Sequence, residues 1–199
     1  MTKIVFVPTS HVASQSVRNV KEAIEKEKPD CVAVELDVNR LMSFKQKQGS
    51  NRDAIKNIGV TTFLIYWIMK KLQDWLGKKT GILPGSEMVM AINAAHEKGI
   101  KVALIDQDIN ITFIKMQKMP LSEKLKLIWF LIKGMTIGLV ASKIGKGETV
   151  DLSKLPPKDL INQAMLVLKN DFPHLYKILV TDRNKVMVKN IKHLQTKFK

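Results

Sequence analysis

Residues 29–40 read Pro29-Asp30-Cys31-Val32-Ala33-Val34-Glu35-Leu36-Asp37-Val38-Asn39-Arg40. The short apolar run after a Pro-Asp turn predicts a buried strand over residues 31–36. Upstream, Val17, Val20, Ala23 and Ile24 recur at helical spacing. Lys21, Glu22, Glu25 and Lys26 take the other face, so a helix is expected from about Ser14 to Lys28. Before it, Val5-Phe6-Val7 reads as another strand, residues 3–7. Strand, helix and strand at this spacing predict a right-handed parallel crossover.

A third strand is expected at residues 101–105, after a helix opening at Ser86 and stopping at Gly99. The remainder reads as helices over about 108–118, 121–144, 157–169 and 174–196. Turns are expected at Pro120, Gly145–Gly147, Pro156-Pro157 and Pro173. The fold class is therefore α/β: a small, mainly parallel sheet of about three strands with a largely helical C-terminal half. Residues 1–199 form one domain, with 1–110 as the α/β part carrying the site and 111–199 as the helical part.

Each expected strand ends in residues able to bind metal or move protons. These are Thr9-Ser10-His11, Glu35-Leu36-Asp37 and Asp106-Gln107-Asp108. The C-terminal edge of a parallel sheet is where open α/β folds bind ligands. One imidazole and up to four carboxylates would then share a crevice, a set that fits zinc, manganese or another divalent ion. Asp37 and Asp108 also suit helix caps. No phosphate loop, dinucleotide fingerprint or nucleophile elbow is present, which argues against nucleotide hydrolysis, a Rossmann cofactor and a serine hydrolase.

The chain has 199 residues and a formal net charge of +15. Residues 115–146 hold seven lysines against one acid, Glu123. Residues 183–199 hold one arginine and five lysines with no acid. Lysines interspersed with apolar residues read first as solvated helix faces and next as attraction to an anionic membrane surface. Nucleic acid is the least favoured partner, because arginine is scarce. The single cysteine, Cys31, excludes an intramolecular disulfide and reads as a small buried hydrophobe.

Two apolar helices invite a membrane reading. The run Phe63–Met69 is bounded by Lys56 and Lys70, and Leu127–Ser142 carries Lys133, Gly134 and Gly138. Neither is a clean stretch of about 20 apolar residues. Residues 60–75 and 127–142 are expected to pack together or to form a homo-oligomer interface. Met1-Thr2-Lys3 leads directly into a strand without an apolar leader, so a cytoplasmic location is expected.

Thr9-Ser10-His11-Val12, the stretch Pro29–Arg40, Pro84-Gly85-Ser86-Glu87-Met88, Leu104–Ile109 and Thr181-Asp182-Arg183-Asn184-x-x-Met187 occur in an order that resembles the TraB/PrgY family. The resemblance spans nearly the whole chain. It implies a Tiki-like superfamily of proposed metal-dependent peptidases, some of which limit a secreted peptide pheromone. It implies His11 and Glu35 as metal-site residues, with Glu87, Asp106, Arg40 and Arg183 lining the same pocket. Glu87 or Asp106 would be the base, and Arg183 or Arg40 would steady the oxyanion or a substrate carboxylate.

Three departures stand out. Pro8 replaces the glycine of the family's first GxxH, Gln107 stands where an arginine is frequent, and the chain stops at Lys199 before a second GxxH. A C-terminally incomplete domain, inactive by itself, is the expectation. Members with membrane helices after this domain make membrane association of a longer chain the companion expectation. A peptide-binding or regulatory module without catalysis is the alternative function.

Overall fold

Alternation of strand and helix in residues 14–104 builds the half that carries the strand ends. The computed structural model describes residues 2–9, 14–45, 59–80, 85–144 and 158–198. Helix α1 (Ser14–Glu27) leads to β1 (Cys31–Val34), and α2 (Val38–Lys45) follows. Helices α3 (Val60–Thr80) and α4 (Ser86–Glu97) precede β2 (Lys101–Leu104). The two strands pair in parallel, with Cys31 opposite Lys101 and Val34 opposite Leu104. Helix α4 lies against α1 and both strands. Its Ala91, Ala94 and Ala95 are buried, and these small side chains permit a close approach. Val20 and Ile24 of α1, Val34, Leu36 and Ile92 complete this core.

The second half is helical, as expected. It runs through α5 (Ile109–Gln117), α6 (Leu121–Ile144), α7 (Lys158–Asp171) and α8 (Pro173–Tyr176). A π-helical segment (Lys177–Asp182) then leads into α9 (Arg183–Lys197). Pro173 does not only mark a turn. It is the first residue of α8, where its missing N–H costs no helical bond. A second core joins Ile65, Met116, Met119, Leu127, Phe172, Leu175 and Ile178. Helices α3 and α6 pack on each other, so the two apolar runs meet within the chain. Among the described residues no helix is long and apolar enough to cross a membrane.

Among the described residues the sheet has two strands rather than three. Residues 3–7 form no strand, and Ile4, Val5 and Phe6 are exposed. A strand is defined by a ladder partner, and this run makes no ladder with β1 or β2. It is tied down instead by Lys3 Nζ to Glu27 Oε2 at 2.5 Å and by Thr2 Oγ1 donating to the Gln195 carbonyl at 3.4 Å. The start of α4 also differs. Gly85, with φ +86°, takes the cap position expected of Ser86, and Ser86 becomes the first helical residue.

Candidate functional site at the strand ends

The ladder continues past both strands. Ile105 N–H donates to the Val34 carbonyl at 3.1 Å, and Asp106 N–H to the Leu36 carbonyl at 3.4 Å. This pairing sets the two acidic loops side by side. Leu36 is 1% exposed and anchors the first loop in the core. Asp37 then caps α2: its Oδ1 accepts from Asn39 N at 2.9 Å and Arg40 N at 3.2 Å. Asp108 caps α5 by accepting from Asn110 N at 2.8 Å. Its Oδ1 also accepts from Asn39 Nδ2 at 3.0 Å, which links the two caps.

Asp106 is the hub, with its side chain fully buried. Arg183 Nε donates to Oδ1 at 3.0 Å and Arg183 Nη2 to Oδ2 at 2.5 Å, a two-point grip. Arg40 Nη2 also donates to Oδ2, while Arg40 Nε holds Asp37 Oδ2 at 2.5 Å. Gln107 N–H donates to Oδ1 at 2.7 Å. Burial opposes the charge on Asp106 most strongly. The Arg183 hydrogen bonds and charge, then Arg40 and the Gln107 N–H, together outweigh it and hold the carboxyl below the usual carboxylate range. The same contact raises Arg183 above its ordinary value against its own burial, with further help from the charges of Glu35 and Asp37.

Arg183 is placed by the π-helical segment before it. A wider helical turn shifts the side-chain register, and such segments often occur at functional sites. Asp182, at its end, accepts from Lys115 Nζ at 2.8 Å and from Lys177 Nζ at 2.9 Å. These two lysines hold its carboxyl below the usual range. Lys115 also donates to Gln107 Oε1 at 3.1 Å, and Gln107 Nε2 donates to Thr112 Oγ1 at 3.0 Å. Gln107 thus stands buried in a hydrogen-bonded chain that ties the β2 loop to the π segment. Asn190 Nδ2 adds a second tie, donating to the Ile105 carbonyl at 2.9 Å.

Of the residues expected at the site, Arg40, Asp106 and Arg183 are brought together. Glu35 sits beside them: its carbonyl accepts from Arg40 Nη2 at 3.4 Å, and its side chain is exposed. Glu87 is buried on α4, 3% exposed. His11 lies outside the described residues. Among the described residues no group of three or more His, Cys, Asp or Glu stands close enough to hold a metal ion. Asp37 was legible as a cap but not as a partner of Arg40. Asn39 stood inside the Pro29–Arg40 motif without an assigned role, and Asn190 gave no sequence signal.

A family model described as the TraB/PrgY/gumN family matches residues 2–198. An uncharacterized protein of Methanocaldococcus jannaschii is 32% identical over 192 residues, covering 94% of this chain and 46% of that protein. A TraB domain-containing protein of Bos taurus is 26% identical over 197 residues, covering 92% of this chain and 50% of the relative. The Homo sapiens TraB domain-containing protein is 24% identical with the same coverage. The chain spans about half the length of the curated relatives it matches. No solved structure matches it.

Proposed function

The chain belongs to the TraB/PrgY/gumN family, and on that premise we propose that it is a peptide-handling domain whose charged crevice lies at the strand ends. The observation that carries this reading is the meeting of Arg40 and Arg183 on Asp106 with the exposed Glu35 beside them. Asp106 is a poor candidate for the base, because two guanidiniums occupy its oxygens and hold its carboxyl below the usual range, which makes it a weak proton acceptor. Its role on this reading is to lock both arginines in place. Their partly exposed edges then face a peptide carboxylate or carbonyl, and Glu35 faces an amine or amide N–H.

Metal-dependent hydrolysis is the second reading, and Glu35 is what favours it. Its side chain is exposed at this edge, and among the described residues none donates a hydrogen bond to its carboxylate. One carboxylate does not make a zinc or manganese centre, which commonly uses three protein ligands when catalytic. The described residues by themselves therefore do not fit such an ion, and this reading rests on His11 joining Glu35.

One experiment addresses both. Short synthetic peptides are titrated into the protein by fluorescence anisotropy, and the mixtures are assayed by mass spectrometry with and without added zinc or manganese. Saturable binding that Glu35→Lys weakens about tenfold, roughly 1.4 kcal/mol, supports the peptide site. Metal-stimulated cleavage that both Glu35→Gln and His11→Ala abolish supports hydrolysis. Absence of peptide binding by the wild-type protein overturns the first reading. Cleavage that survives both substitutions overturns the ligand assignment.

A further inference from the structure

The outer face of α6 is left unexplained by the strand-end site. Leu121, Leu125, Trp129 and Ile132 fall on one stripe at helical spacing, and all four are exposed, Trp129 to 68%. A soluble surface seldom leaves a large aromatic among leucines without a partner. Beside this stripe on the same exposed arc lie Lys126 and Lys133. Lys118 is exposed just before the helix begins.

The acid of this region is turned away from the surface. Glu123 is buried: its Oε1 accepts from Leu175 N at 3.0 Å and its Oε2 meets His174 Nδ1 at 2.6 Å. Lys124 is likewise buried, with Nζ donating to the Gln117 carbonyl at 2.6 Å. Over residues 118–134 the exposed face therefore combines apolar bulk with lysine and no acid of its own. Asp171, from α7, pairs with Lys126 at the margin, with both side chains about half exposed. An exposed pair of this kind contributes little and is readily exchanged.

We propose that this face of α6 lies on an anionic lipid bilayer, with Leu121, Leu125, Trp129 and Ile132 entering the headgroup–acyl boundary and Lys118 and Lys126 meeting lipid phosphates. Charge selects this occupant. A second copy of the chain would bring its own net charge of +15 to the contact. A bilayer rich in phosphatidylserine supplies the opposite sign. An exposed tryptophan with lysines beside it suits the headgroup region of a bilayer.

The test is co-sedimentation of the whole chain with vesicles of neutral phosphatidylcholine or of phosphatidylcholine with phosphatidylserine. Binding to the anionic vesicles is expected to exceed binding to the neutral ones by on the order of fivefold for each lysine engaged, and to fall as salt is raised. Trp129→Glu and Leu125→Glu are each expected to weaken binding by about tenfold or more. Both sites are exposed, so circular dichroism should be unchanged. Equal binding to both vesicles, or binding unaltered in correctly folded Trp129→Glu, overturns the proposal. So does a wild-type dimer in analytical ultracentrifugation that Trp129→Glu converts to monomer, which would assign the face to a second copy.

Discussion

The Arg183 guanidinium grips the Asp106 carboxylate at two points, 2.5 and 3.0 Å, across 77 residues of sequence. The contact joins the end of β2 to the helix that closes the second half. It bolts the α/β core to the helical core as well as ordering the candidate site. Arg40 completes the arrangement from the first turn of α2.

Arg183→Leu should destabilise the protein by about 3 kcal/mol or more, because it leaves a buried carboxylate with one guanidinium fewer. Arg183→Lys keeps the charge but not the parallel pair of donors, and should cost about 1–3 kcal/mol. Urea unfolding of the three proteins checks both values. Equal stability of wild type and Arg183→Leu would remove the bolt from the account.

Stability should fall in acid. The Asp106 carboxyl is held below its unfolded value, so its contribution is fully present above about pH 4. As pH drops, the unfolded chain takes up the proton first, and stability is lost until the folded carboxyl also protonates. Asp182 has the same direction of shift and adds to the trend. Denaturant unfolding between pH 6 and pH 3 should show a shallower decline in Asp106→Asn, although that variant starts from lower stability.

Glu123 secures the start of α8 from inside α6. Glu123→Ala should cost about 2 kcal/mol by leaving the buried Leu175 N–H without its acceptor. Glu123→Gln keeps an acceptor oxygen and should cost about half as much. Thermal melts of the pair decide the order, and a more stable alanine variant would contradict it.

Gly85 is the position where a turn requires glycine. An alanine there would adopt φ +86° and place its Cβ 2.6 Å from Phe44 Cζ. Gly99, at φ +66°, has nothing within 4 Å of the same added atom. Each alanine substitution should cost about 1–2 kcal/mol for the backbone alone. Gly85→Ala should exceed Gly99→Ala by whatever Phe44 cannot relieve, as measured by parallel urea titrations.

Much of the fold was legible because its signals are local. Helical spacing of Val20 and Ile24, the apolar runs at residues 31–34 and 101–104, and the capping roles of Asp37 and Asp108 all depend on neighbours a few residues away. The candidate site was legible in part, since an acid at the end of an apolar strand needs a partner. Its partners were legible only through the family resemblance, which put Arg40 and Arg183 in one pocket with Asp106. Nothing near Asp106 in the sequence distinguishes an arginine-bound carboxylate from a metal ligand or a base.

The sequence by itself determined the α/β class, the helical second half, the acidic strand ends and the lysine-rich charge. Tertiary structure alone decided that residues 3–7 form no strand, that a π-helical segment precedes Arg183, and that Arg40 and Arg183 both grip the Asp106 carboxylate directly. The reason is range. Periodicity and capping act within a turn or two of backbone, whereas a ladder or a buried ion pair forms only once distant segments have been brought together by the burial of their apolar faces.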